Sequence, residues 1–154
     1  MFEVRRIEAE MTYSLRHSVL RPHQTVEDCK YVTDHEDNAF HVGVFYQRKL
    51  VSVASFCVEK HPDFPIKKQY RLRAMATLED FQKLGAGRSV VNYAENLIKE
   101  QGVNFLWCKG RTTVQEYYSK LGFKAHGEVF DYPSIGPHII MYKKLGFIKE
   151  NCWN

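Results

Sequence analysis

Residues Leu72 to Val91 read LRAMATLEDFQKLGAGRSVV: a strand, a short loop holding Gln82-Lys83-Leu84-Gly85-Ala86-Gly87, then an amphipathic helix. A loop that opens a helix offers backbone N–H groups without intrahelical partners at the positive end of the helix dipole, a setting suited to phosphate. Gly85 and Gly87 carry no Cβ to hold an anion off the backbone, and Arg88 stands where a charge-assisted contact would add to it. Two familiar phosphate loops fail on the same residues. A P-loop needs a glycine five residues before Gly87 and a lysine after it, and Arg88-Ser89 follows instead. The dinucleotide fingerprint needs Gly or Ala three residues after Gly87, where Val90 stands. A helix start whose glycines serve only a tight turn is the competing reading.

Metal chemistry has no comparable signal. Cys29, Cys57, Cys108 and Cys152 form no CxxC pair and have no close histidine at zinc-ligand spacing, so they read as free thiols and no metal is expected. Twenty-two Lys and Arg against eighteen Asp and Glu leave +4, a surplus compatible with an anionic ligand but short of a nucleic-acid-binding signature. With 44% hydrophobic and 26% charged residues the composition is globular, not disordered. The opening MFEVRRIEAEM is too charged for a signal peptide, and the most apolar window, Leu50 to Val58, is too short to span a bilayer. The expectation is a cytoplasmic protein without membrane or nucleic-acid partners.

The elements that must position the loop follow from periodicity. At 154 residues, without repeats or a Pro/Gly-rich linker, the chain reads as one domain over residues 1–145 with a short tail, 146–154. Phe2 to Arg6 is a strand, and Glu8 to Leu20 a helix with Met11, Leu15 and Val19 on one face, stopped by Arg21-Pro22. His23 to Asn38 is mainly loop. Phe40 to Tyr46 and Leu50 to Glu59 form a hairpin, and Gln69 to Thr77 alternates between two unlike faces. Val90, Val91, Ala94, Leu97 and Ile98 make a helical stripe that ends at Gly102. Val103 to Lys109 is a buried strand; Thr112 or Thr113 caps a helix bearing Val114, Tyr117, Tyr118 and Leu121; Lys124 to Phe130 and His138 to Lys144 are strands around a turn-rich segment. The order is mixed α/β.

On these residues the chain resembles the GNAT acyltransferase superfamily. Gln82-Lys83-Leu84-Gly85-Ala86-Gly87 is similar to the Q/R-x-x-G-x-G/A signature, five residues after the strand ending at Thr77. Glu116-Tyr117-Tyr118-Ser119-Lys120-Leu121-Gly122-Phe123 resembles the family's F-Y-x-K-x-G-F element, and the segment Gly127 to Met141 is similar to the small bacterial ElaA-like branch. The resemblance implies an α/β (α+β) fold with a mixed, mostly antiparallel central sheet, a splayed parallel strand pair and flanking helices.

It also implies a cosubstrate, acetyl-CoA. The pyrophosphate then belongs on Gln82, Lys83, Leu84, Gly85, Ala86, Gly87 and Arg88, and the pantetheine amides along Met75, Ala76 and Thr77, where a backbone N–H near Met75 can polarise the thioester carbonyl. Transfer to an amine needs a base and an acid. Tyr118 holds the family's tyrosine position and is the expected general acid, since a phenol of pKa about 10 stays protonated at neutral pH; for Tyr117 a core position is expected. The strand before the loop lacks the glutamate that serves some relatives, which leaves Glu128, Asp131 and His138, or a water chain, as bases.

Lys109-Gly110-Arg111 stands where relatives often place an asparagine on pantetheine, and Val114 replaces a common alanine. Lys60, Lys67, Lys68, Arg71 and Arg73 read as a solvated basic face. The expected function is acetyl transfer to a primary amine of a small molecule or peptide by direct attack in a ternary complex, with a homodimer left open. The alternative is a non-catalytic CoA-binding sensor or scaffold.

Overall fold

Described in a computed structural model are residues 1–133 and 135–146. The expected tail therefore lies outside them except for its first residue, as does Cys152. Seven strands are hydrogen-bonded in the order β1-β2-β3-β4-β5-β7-β6: β1 Phe2–Ile7, β2 Phe40–Tyr46, β3 Lys49–Val58, β4 Tyr70–Thr77, β5 Phe105–Arg111, β6 Lys124–Tyr132 and β7 Gly136–Lys144. Pairs β1/β2, β2/β3, β5/β7 and β6/β7 are antiparallel, whereas β4 and β5 run parallel through Tyr70↔Leu106 and Arg71↔Trp107. This is the mixed, mostly antiparallel sheet with one parallel pair that the resemblance implies.

By its contacts the chain divides into two units. The first comprises Met1–Val58 and Leu72–Leu97, the second Glu59–Arg71 and the described residues from Ile98 onward. In the first unit β2 is buried at every position but its last, as its near-continuous apolar sequence requires. Leu15, Val53 and Ala76 form a core with Ile7, Val19, Leu20, Leu50 and Leu78 packed on it. The hairpin turn between β2 and β3 uses Gln47 and Arg48 at φ 48° and 69°, the paired left-handed conformation that matches strand twist.

The first helical stretch departs from a regular helix. Ala9–Thr12 is a 3-10 turn, Tyr13–Leu15 (α1) is α-helical, and Arg16–Leu20 winds as a π-helix. Its inward residues are Ala9, Thr12, Leu15 and Arg16, and Met11 is exposed, because the changes in winding rotate the face that a uniform 3.6-residue period would present. Helix α2, Ala86–Glu100, follows its sequence stripe: Val90, Val91, Ala94 and Ile98 are buried.

In the second unit Phe64, Phe105, Trp107 and Ile140 form the core, with Ile66, Phe130 and Tyr142 against it. Helix α3, Gln115–Lys120, follows a 3-10 turn at Thr112–Val114. Neither threonine caps it: the residues at the two N-terminal boundaries are Arg111 and Val114, and neither makes a side-chain cap bond. Lys109-Gly110-Arg111 continues β5, so it lies inside a strand. A Cβ at Gly110 would overlap Met141 Cε, so a larger residue there would have to move the end of that side chain.

Candidate active site

The loop after β4 is built from local hydrogen bonds. Leu78 donates its N–H to Val51 (2.9 Å), a single 3-10 turn spans Glu79–Phe81, and Gln82 Nε2 donates to the carbonyl of Thr77 at 3.1 Å. Lys83 and Gly85 then take φ values of 65° and 91°, and α2 starts at Ala86. Two left-handed residues so close together reverse the chain sharply, which Gly85 allows without a Cβ penalty. The helical ladder opens with Ser89 N–H on the Gly85 carbonyl at 3.0 Å, so Ala86 and Gly87 N–H have no partner within the helix. Gln82, Lys83, Leu84, Gly85 and Arg88 are exposed. An exposed turn with glycine at its hinge and helix N–H groups behind it fits a pyrophosphate.

The preceding strand has a matching irregularity. Ala74 sits at φ 55°, a left-handed residue inside β4 that breaks the expected two-residue alternation. Beyond it, Ala76 is buried with Leu15 and Val53, and Thr77 Oγ1 is hydrogen-bonded to Ser52 Oγ at 2.8 Å. These two side chains are committed to the core, so any ligand along this segment meets mainly backbone.

In the second unit, Tyr118 is buried with its ring edge-on to Phe123 and Tyr117, at centroid distances of 5.5 Å each. Burial pushes its phenol well above the ordinary value, with Cys108 and Tyr117 adding to the effect, so it is neutral at physiological pH. Tyr117, expected in the core, is instead 39% exposed, since adjacent positions on α3 point about 100° apart. Cys108 is also buried, its thiol pushed up to about 12 by desolvation, and is not a nucleophile.

His138 is buried on β7 opposite Arg111 and Phe130, with its ring 4.9 Å from that of Tyr132. Its Nδ1 donates to the Gly136 carbonyl at 2.9 Å, which assigns the proton to Nδ1 and leaves Nε2 as an acceptor. Glu128 and Asp131 are exposed; Glu128 lies in the bulge where the β6/β7 register shifts between His126 and Phe130. The structure thus places Met75–Thr77 and Gln82–Arg88 in the first unit, and Tyr118, Glu128 and His138 in the second.

The basic cluster divides. Lys60, Lys67 and Lys68 are solvated as expected, but Arg71 is buried, paired with Glu59 at 3.0 Å and 5.0 Å from the Trp107 ring. Arg73 is half-buried, 4.3 Å from the Tyr31 ring centroid, with Nη1 donating to Thr33 Oγ1 at 3.3 Å. Strand placement, invisible to a charge count, turns both arginines inward.

Sequence reasoning also missed a polar network in the first unit. Arg16, fully buried, pairs with both oxygens of Asp34 at 2.8 Å and donates to the Cys29 carbonyl and Ser55 Oγ, each at 2.7 Å. Ser55 Oγ in turn donates to His41 Nδ1 (2.7 Å), whose Nε2 donates to the Asp34 carbonyl (3.0 Å). A shallow recess is lined by Thr33, Asp34, His41, Ser55, Cys57 and Arg73, among others. The one signal available in the sequence was an arginine at an inward position of an amphipathic segment.

Comparison with known proteins agrees with this architecture. The model of the acetyltransferase (GNAT) family matches residues 3–123, and the chain belongs to that family. It is 49% identical over 145 residues to the "Uncharacterized N-acetyltransferase YitI" of Bacillus subtilis (strain 168), covering 94% of this chain and 97% of that one. Among solved structures it resembles Escherichia coli ElaA (TM-score 0.70, 17% identity, 94% and 100% of the two chains). It also resembles an aminoglycoside 6'-N-acetyltransferase complexed with coenzyme A (TM-score 0.72, 16% identity, 92% and 96%). Among the described residues no helix is long and apolar enough to cross a membrane, and no cluster of side chains is arranged to hold a metal.

Proposed function

We propose that the protein is an acetyl-CoA-dependent N-acetyltransferase that acts on a primary amine of a small molecule or peptide by direct attack in a ternary complex. The observation that carries this reading is the Gln82–Gly87 turn: two left-handed residues, an exposed surface and the start of α2, in a chain of the acetyltransferase family. Gln82, Lys83, Leu84, Gly85, Ala86, Gly87 and Arg88 would hold the pyrophosphate, and Met75, Ala76 and Thr77 the pantetheine arm through their backbone. Acetyl-CoA supplies an activated acyl group as a thioester.

Tyr118 is assigned the general acid. Its buried ring fixes the hydroxyl, and its raised pKa keeps the proton in place for a ligand. His138, with Nε2 able to accept, is the candidate to take the proton of the incoming ammonium; Glu128 is the exposed carboxylate on the neighbouring strand that can attract it. The test is release of CoA thiol from acetyl-CoA in the presence of a panel of primary amines. Amine-dependent release is expected. CoA binding without release for any amine would favour a binding module instead.

A further inference from the structure

The first unit holds two arginines around one tyrosine, and only one of them has a carboxylate. Arg16 and Arg73 each place a guanidinium 4.3 Å from the centroid of the Tyr31 ring. Arg16 is neutralised by its bidentate contact with Asp34. Asp34 is fully engaged, since its Oδ2 also accepts the Tyr31 N–H at 3.0 Å. His41 adds no charge at neutral pH, because burial holds its imidazole below the ordinary value. Arg73 alone is uncompensated: its hydrogen bond to neutral Thr33 is long at 3.3 Å, and among the described residues no carboxylate pairs with it. Arg16, Asp34, His41 and Arg73 together therefore keep one net positive charge.

A half-buried guanidinium is costly to leave without an anion, and the two buried arginines, Arg16 and Arg71, both have one. Arg73 is also held in position. Tyr31 stacks on it and is itself fixed by Asp34, and the left-handed Ala74 breaks the strand immediately after it. An arginine fork ordered by aromatic stacking is suited to planar carboxylates. We propose that Arg73 binds a carboxylate of the acceptor, so that the substrates are amines that also carry a carboxylate, such as amino acids. This rests on the acetyltransferase reading above. It follows from the position of Arg73 on β4, two residues before the Met75–Thr77 segment assigned to the pantetheine arm.

The test is the kcat/KM for acetylation of a panel of amino acids, measured against their carboxamides and their decarboxylated amines, in the parent protein and in Arg73→Gln and Arg73→Lys. The thermal shift given by CoA is recorded in parallel. The parent is expected to prefer the carboxylate-bearing member by ~10-fold or more, the scale of a charge-assisted pair. Arg73→Gln should erase the preference by lowering kcat/KM only for the carboxylate-bearing amines, Arg73→Lys should restore part of it, and the CoA shift should not move. Equal rates across each set or an equal fall for all acceptors would overturn the carboxylate assignment and leave the acetyltransferase reading intact, and turnover of no panel member while CoA still binds would overturn the carboxylate assignment. Loss of the CoA shift in Arg73→Gln would assign the guanidinium to a phosphate of CoA instead. Absence of a CoA shift in the parent would overturn the acetyltransferase reading itself, and the assignment with it.

Discussion

Arg16 and Asp34 meet inside the protein in a bidentate ion pair, 2.8 Å at each contact, with the arginine side chain fully buried and that of Asp34 2% exposed. The pair ties the first helical stretch to the loop before β2, and Ser55 and His41 extend it to the β2–β3 hairpin. Arg16→Met leaves a buried carboxylate without its cation and is expected to cost roughly 3–5 kcal/mol in urea unfolding. Adding Asp34→Asn should return part of that loss. A cost below about 1 kcal/mol would show that the pair is not holding this region together.

Acid should destabilise the protein in two stages. Burial lowers the imidazole pKa of both His41 and His61 below 6.5, so as pH falls from that value the unfolded chain takes up protons that the folded chain refuses, and stability declines. Asp34 behaves differently. Burial would raise its pKa, but the Arg16 hydrogen bonds, the Tyr31 N–H and the Arg16 charge together hold it below 3.8. Its contribution is complete above that value and is lost as pH drops through the lower folded one. His41→Gln with His61→Gln should flatten the dependence of the urea midpoint between pH 7 and 5 and keep the steeper fall below pH 4. An unchanged slope between pH 7 and 5 would place the first stage elsewhere.

Tyr118→Phe removes only a hydroxyl. The expected result is a CoA thermal shift close to that of the parent, with turnover lowered by ~10²-fold or more. Normal turnover would make Tyr118 a packing residue.

His138→Ala and Glu128→Gln should each raise the acceptor KM or lower kcat while the CoA shift stays as it was. If both variants keep parental kinetics, the proton of the amine leaves by another route, and the exposed Asp131 is the next residue to replace.

Local order was legible where a single period governs. The hairpin strand Phe40 to Tyr46, the stripe from Val90 to Ile98 and the glycine-containing turn at Gln82–Gly87 all appear as read. What escaped was set by tertiary partners. The shift from 3-10 through α to π winding that exposes Met11 is not marked in residues 8–20, and Asp34, the partner of buried Arg16, lies eighteen residues on. Arg71 and Arg73 counted as surface charge until β4 gave them Glu59 and Tyr31 as neighbours. Ala74 and Lys83 adopt left-handed backbone that their side chains do not announce. Of the candidate site, the loop could be read from spacing, while the burial of Tyr118 and the hydrogen bond of His138 to the Gly136 carbonyl required the fold.

The most direct measurement is the melting temperature of the protein with CoA, acetyl-CoA, ATP and NAD, each in excess, alongside Gly87→Asp. A ligand that binds the native state raises its melting temperature. CoA and acetyl-CoA should raise it while ATP and NAD do not, and Gly87→Asp, which sets a carboxylate at the start of α2 where the pyrophosphate is assigned, should melt cooperatively but show no shift with CoA. A parent protein whose melting temperature ignores CoA and acetyl-CoA would contradict the account at its base.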